Sequence, residues 1–273
     1  MTSSQAEVTT TLGREPFFLE KWYLDTILDD GTLLIVLLGH LRALGLRRAR
    51  LSAELHLPDG RVVRGDASVG AIVPEGGGRR FHHGQLGETE LVWRTSTLSG
   101  ELRLISRHTS ARLRDPLLTD GKRQLRWIVE VPDADVEGEL RWSAGRLAVA
   151  GRGYRDYLAV DLLPWRLPIR ELRWGRAFAG DHACCWMRLG THDAALEGTW
   201  ADGHMESRMA PPPLHEERVI QQAHVADIAA LRIGALRSVL RRLAGDPYQT
   251  RWLAQASLGG ARGWAVHELV RWR

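Results

Sequence analysis

The segment Gly151-Arg152-Gly153-Tyr154-Arg155-Asp156, followed downstream by Trp174-Gly175-Arg176-Ala177, sets one carboxylate among tyrosine, tryptophan and arginine. Burial beside such rings disfavours the ionised form and raises a carboxyl pKa, so Asp156 is placed to stay protonated near neutrality and serve as a general acid. A neutral carboxylic acid can protonate an alkene or polarise a carbonyl. Aromatic faces suit the other half of that chemistry, because the ring quadrupole stabilises the positive charge of a developing carbocation. Trp22, Tyr23, Trp127, Tyr154 and Trp174 are the candidates, with Tyr157 beside the acid. The plainer uses are core packing for the rings, and for Asp156 a turn cap or an ion pair with Arg155 or Arg176.

Other constellations are less specific. His82-His83, His182, His192-Asp193, His204 and His215-Glu216 include potential metal ligands, but none has the helical spacing or cysteine pairing that specifies zinc. No metal is expected. Gly76-Gly77-Gly78 lacks the Lys-Ser/Thr of a phosphate loop, and no Gly-x-Ser-x-Gly elbow is present. Neither nucleotide nor acyl-enzyme chemistry is supported.

The elements that must position these residues read as strands. Ala49 to Leu57 alternates apolar and polar residues, and Pro58-Asp59-Gly60 turns it into a return strand at Arg61 to Arg64. An earlier hairpin runs from Trp22 to Ile27, through Asp29-Asp30-Gly31, into the apolar run Leu33 to Leu38. Further strands are predicted at Glu101 to Arg107, Leu125 to Val131, Gly138 to Trp142, Ile169 to Trp174, Ala183 to Leu189, Leu196 to Trp200, Trp252 to Ala256 and Trp264 to Val270. Short strands without intervening helices argue for antiparallel barrels or sandwiches. Small residues and glycines gather at Ser143 to Gly151, which places a boundary there and predicts two barrel-like domains, 1–146 and 147–273. One helix is predicted from Val225 to Leu243, stopped by Gly245 and Pro247. Its polar face carries Arg232, Arg237, Arg241 and Arg242, a solvated face or a peripheral contact with an acidic membrane surface.

Composition bounds the rest. With 273 residues, 44% hydrophobic and 26% charged, the chain can bury a substantial core. It has no apolar run long enough to span a membrane as a helix, and its polar start is unlike a secretion signal, so a cytoplasmic location is expected. All but two of the 37 basic residues are arginine, the exceptions being Lys21 and Lys122. The net charge of +4 is scattered rather than blocked, which argues against nucleic acid as a partner. The adjacent Cys184 and Cys185 read as buried small hydrophobes rather than a disulfide. Eleven tryptophans, against four Phe and four Tyr, favour broad apolar surfaces in a barrel core or around a large apolar ligand.

Three blocks resemble a known family. Trp142-Ser143-Ala144-Gly145, Gly151-x-Gly153-Tyr154-x-Asp156 and Leu172-Arg173-Trp174-Gly175-Arg176-Ala177 resemble the central block of the carotenoid 1,2-hydratases, or hydroxyneurosporene synthases. The same block marks their lipocalin-like relatives, the AttH-type proteins and the fungal decalin-forming Diels-Alderases. Glu20-Lys21-Trp22-Tyr23-Leu24-Asp25 with Asp30-Gly31 is similar to the start of that family. The resemblance implies two calycin-type barrels with a large apolar pocket in or between them. It also implies polyene, terpenoid or polyketide substrates handled without a cofactor, with Tyr154 and Asp156 in the acid site. The chain departs from the family pattern at Arg155, Tyr157, Leu158 and Leu172.

These readings converge on an enzyme that folds an apolar chain and catalyses its cyclisation, isomerisation or hydration. Asp156 gives the proton or hydrogen bond, Tyr154 orients it, and Trp174, Trp22, Tyr23, Trp127 and Tyr157 line the pocket. Arg176 is placed to hold a polar end of the substrate. The alternative is a non-catalytic carrier of a lipid or pigment, which the same pocket would serve.

Overall fold

Turn chemistry sets the first pair of strands. Gly31 adopts φ +80°, and Thr32 donates its backbone N–H to Asp30 Oδ1 at 2.8 Å, closing the predicted hairpin. The computed structural model describes residues 16–43, 45–110, 115–191, 195–202, 204–206, 211–228 and 245–272. The hairpin joins β1 (Phe17–Leu28) to β2 (Leu33–Ala43). There follow β3 (Leu46–His56), β4 (Val62–Ser68), β5 (Val73–Glu75), β6 (Gly78–Phe81), β7 (Gly84–Leu86), β8 (Glu90–Arg94), β9 (Leu98–Ser106), β10 (Leu118–Asp120), β11 (Arg123–Trp142) and β12 (Gly145–Val160). These form a 12-stranded sheet in the order β4-β3-β2-β1-β12-β11-β9-β8-β7-β6-β5, with β10 on β11.

A second, 7-stranded sheet has the order β16-β15-β14-β13-β19-β18-β17. Its strands are β13 (Ile169–Ala179), β14 (His182–Thr191), β15 (Ala195–Ala201), β16 (His204–Glu206), β17 (Leu214–His224), β18 (Tyr248–Leu258) and β19 (Ala261–Arg271). Their pairings are antiparallel, as they are in the first sheet. The first sheet curls on itself, and Thr97 Oγ1 donates to the Arg64 carbonyl at 2.5 Å, tying edge strand β4 to the turn between β8 and β9. The fold is all-β, made of two curled, lipocalin-like antiparallel sheets.

Burial follows from the curl. Trp22, Leu24, Leu34, Leu51, Trp93 and Leu102 fill the inside of the first sheet, whereas Tyr23, Ile27, Trp127 and Tyr154 meet Trp174, Phe178, Met187 and Val266 of the second. Both faces of β1 and β2 are therefore covered, which explains the continuous apolar run Leu33 to Leu38. Cys184 and Cys185 form no disulfide and are buried on opposite faces of β14.

Two expectations need adjustment, and a third is described only at its start. The boundary at residues 146 and 147 falls inside β12, and the passage between sheets comes later, between Val160 and Ile169. Gly151 and Gly153 mark close packing rather than a break: a Cβ on Gly153 would press on Val136 and Thr26, and one on Gly151 on the Ile27 carbonyl. The strands expected at Leu125 to Val131 and Gly138 to Trp142 are one element, β11, which bends through irregular pairings at Val129–Val131 and Val131–Ala134, around Pro132. Of the predicted C-terminal helix only α1 (Val225–Ile228) is described; the remainder, with its four arginines, lies outside the described residues. Among the described residues no helix is long and apolar enough to cross a membrane.

Candidate active site

Strand register builds the site. β1 and β12 pair with Tyr23 opposite Asp156 and Asp25 opposite Tyr154, so two Tyr-x-Asp units run past each other in opposite directions. Cross-strand partners share a face, which puts all four side chains on one side of the sheet. Trp127 of β11 joins them and donates its indole N–H to Asp156 Oδ2 at 3.0 Å. Tyr154 donates its hydroxyl to the same oxygen, also at 3.0 Å. Asp156 Oδ1 is buried and has no hydrogen-bond partner.

The second sheet closes over this face. Trp174 and Arg176 occupy alternate positions of β13 and so point the same way. The Trp174 ring meets Tyr23 and Tyr154 edge-on, with centroids at 5.3 and 5.5 Å. Arg176 pairs with Asp25 Oδ1, while Asp25 Oδ2 accepts the Tyr23 hydroxyl at 2.9 Å. Asp25 is 0% exposed and Arg176 2%, so this ion pair between the sheets is dry. Between Trp174 and Arg176, on the other face of β13, Gly175 makes room for the Trp186 ring, which a Cβ there would strike. Arg176 Nε and Nη1 have no hydrogen-bond partner. Arg251 of β18, held by Glu268 of β19 at 2.6 and 3.0 Å, lies over the Tyr23 ring at 5.2 Å. Lys21 approaches the same ring at 5.7 Å.

Burial dominates the electrostatics. It raises the Asp156 carboxyl to about 6, against the opposing pull of Lys21 and the bonds from Trp127 and Tyr154; the Asp25 charge adds a smaller upward push. Burial also raises Asp25, although Arg176 opposes it. The phenols of Tyr23 and Tyr154 are pushed well above their ordinary value by burial and by the neighbouring carboxylates, so both remain donors. The cluster therefore combines an acid that keeps its proton to about pH 6, aromatic faces around it and a guanidinium with spare N–H groups. Among the described residues no cluster of three or more His, Cys, Asp or Glu side chains could hold a metal ion.

Six of the expected residues, Tyr23, Trp127, Tyr154, Asp156, Trp174 and Arg176, thus come together. Trp22 and Tyr157 do not. They pair with each other across β1 and β12, one residue out of step with Tyr23 and Asp156, and so project from the opposite face. There their rings lie 5.2 Å apart, Tyr157 donates its hydroxyl to Glu20 Oε1 at 2.8 Å, and both line a cavity of about 420 Å³ on the inner side of the first sheet. That cavity also carries Arg79, Arg126, Glu130 and Arg155, so it is not the apolar pocket expected around the acid. Strand alternation thus separates residues that are adjacent in sequence.

Asp25, Lys21, Arg251 and Glu268 were not among the expected site residues. Asp25 carries a signal: Tyr23-x-Asp25 repeats the spacing of Tyr154-x-Asp156, and antiparallel pairing of two such units makes a four-residue cluster. Lys21 is conspicuous as one of two lysines in an arginine-rich chain. For Arg251 and Glu268 the sequence holds no comparable sign.

No family model and no curated protein matches the sequence. Solved structures do. CghA in complex with Sch210972 superposes with a TM-score of 0.64 at 13% identity, covering 94% of this chain and 89% of that one. The AttH-like protein NE1406 from Nitrosomonas europaea gives 0.55 at 12% identity over 93% and 92%. Kievitone hydratase from Nectria haematococca gives 0.50 at 10% identity over 94% and 89%. Over nearly its whole length, then, the chain shares the two-sheet, lipocalin-like fold of the AttH-type proteins.

Proposed function

We propose that the chain is a cofactor-independent enzyme acting on an apolar polyene, terpenoid or polyketide chain, with Asp156 as the proton or hydrogen-bond donor for cyclisation, isomerisation or hydration. The observation that carries this is the Asp156 carboxyl itself: Oδ2 is held by Trp127 and Tyr154, Oδ1 is buried without a partner, and the proton is retained to about pH 6. A buried polar atom without a partner is costly, about 1–3 kcal/mol, and is the kind of group a ligand satisfies. Protonation of a carbon–carbon double bond leaves a carbocation that the Trp174, Tyr23 and Tyr154 faces stabilise. In cyclisation or isomerisation the carboxylate takes back a proton from the adjacent carbon. In hydration, water adds to the cation and releases the proton. Arg176, with two spare donors, holds a polar terminus of the substrate. Two fold neighbours support a small-molecule role, one being a hydratase and the other having been crystallised with Sch210972.

The test is Asp156→Asn, assayed on polyene and terpenoid chains and on whatever polyene co-purifies in an organic extract. Turnover should fall by about two orders of magnitude or more, with uptake of the chain retained. Near-normal turnover in that variant would sink the proton-donor role. A wild-type protein that carries a polyene but never converts it would establish the carrier reading instead.

A further inference from the structure

The cavity behind the acid is chemically unlike the network in front of it. Trp22, Leu86, Ile128 and Val131 give it a buried apolar floor. Set into that floor is Arg155, 7% exposed, whose Nε lies 2.9 Å from Glu130 Oε2 and whose Nη1 donates to the Gly87 carbonyl at 2.8 Å. A guanidinium has more N–H donors than these two acceptors use. Arg79, at the wall, sits over the Trp22 ring at 5.5 Å and donates to the Gly78 carbonyl. Among the described residues no carboxylate pairs with it. Trp22 and Tyr157, their rings tilted 40° to each other, form an aromatic wall; Arg79 lies over Trp22 and Arg155 is set behind. Although Glu88 and Glu130 also line the cavity, only Glu130 is engaged, by Arg155, which leaves Arg79 to meet a ring bearing a negative group. At about 420 Å³ the volume lies at the small end of the roughly 300–1,000 Å³ typical of ligand sites, enough for one or two fused rings.

We propose that this cavity is a second small-molecule site, separate from the Asp156 network, and that it takes a planar aromatic carboxylate. The ring lies against Trp22 and Tyr157, and the carboxylate bridges Arg79 and Arg155. β12 is the partition, presenting Arg155 and Tyr157 to this ligand and Tyr154 and Asp156 to the other side.

Calorimetric titration of the full chain with naphthalene-2-carboxylate, beside its neutral amide, tests the assignment. One carboxylate should bind per chain, at least tenfold more tightly than the amide. Arg79→Gln, at a partly exposed position, should keep the fold by circular dichroism and weaken the carboxylate by tenfold or more. Asp156→Asn should leave it unchanged. Absence of carboxylate binding, equal binding of the amide, or binding lost in Asp156→Asn but kept in Arg79→Gln overturns the proposal. None of these results depends on turnover at Asp156.

Discussion

At the scale of the residue, the decisive fact is that Asp156 is buried with Lys21 as the leading opposing charge, whereas Asp25 has Arg176 in contact. Burial raises both carboxyls, but Asp156 is met by two neutral donors and Asp25 by a guanidinium. The folded protein keeps the Asp156 proton up to about pH 6, while the unfolded chain releases it near 3.8, so folding takes up a proton between those values. Stability should accordingly fall as the pH rises through that window, by at most about 3 kcal/mol for a shift of roughly two units. Urea denaturation of wild type and Asp156→Asn from pH 4 to 8 will show this as a slope that the variant lacks; identical slopes would mean that the carboxyl is not held protonated. Turnover carried by the same proton should decline above about pH 6.

At the scale of the element, period-two alternation does most of the positioning. The tight packing of glycine under tryptophan makes it possible: Gly175 faces Trp186 across β13 and β14, and its missing Cβ leaves room for the ring. Gly175→Val should overpack this site and cost about 1–3 kcal/mol, displacing Trp174 and Arg176 on either side. A thermal melt reads the stability, and an unchanged melting temperature would refute the packing argument. Much of this was legible beforehand. Alternation in Ala49 to Leu57, the Asp-Gly turns and the Tyr154/Asp156 spacing are local signals, and each lies where strand chemistry predicts. Side-of-sheet assignments were not, because they depend on counting from a strand whose ends were unknown; Trp22 and Tyr157 were therefore grouped with Asp156. The long β11 was read as two strands because its bend at Pro132 looks like a break in a linear pattern. β17, with irregular pairings at His215–Arg218 and Val219–Gln221, lacks clean alternation and gave no sign.

At the scale of the whole molecule, one apolar cluster draws residues from both sheets, and the Asp25–Arg176 ion pair runs through it. Neither sheet buries its contact face alone. Heat or urea should therefore unfold both sheets in one transition by near- and far-ultraviolet circular dichroism, and Arg176→Met, which strands Asp25 without its cation, should lower that transition by about 3–5 kcal/mol. Two resolved transitions would show instead that the sheets are energetically independent. The strand shared by the two compartments carries a further consequence. Because odd-numbered positions of β12 from 153 to 157 answer to one chamber or to packing, and even-numbered ones to the other, mutation can explore Arg155 and Tyr157 without disturbing Tyr154 and Asp156 directly. Substitutions at 155 and 157 therefore reshape the cavity of the first sheet while leaving the Asp156 network in place, so the two faces of one strand can change independently.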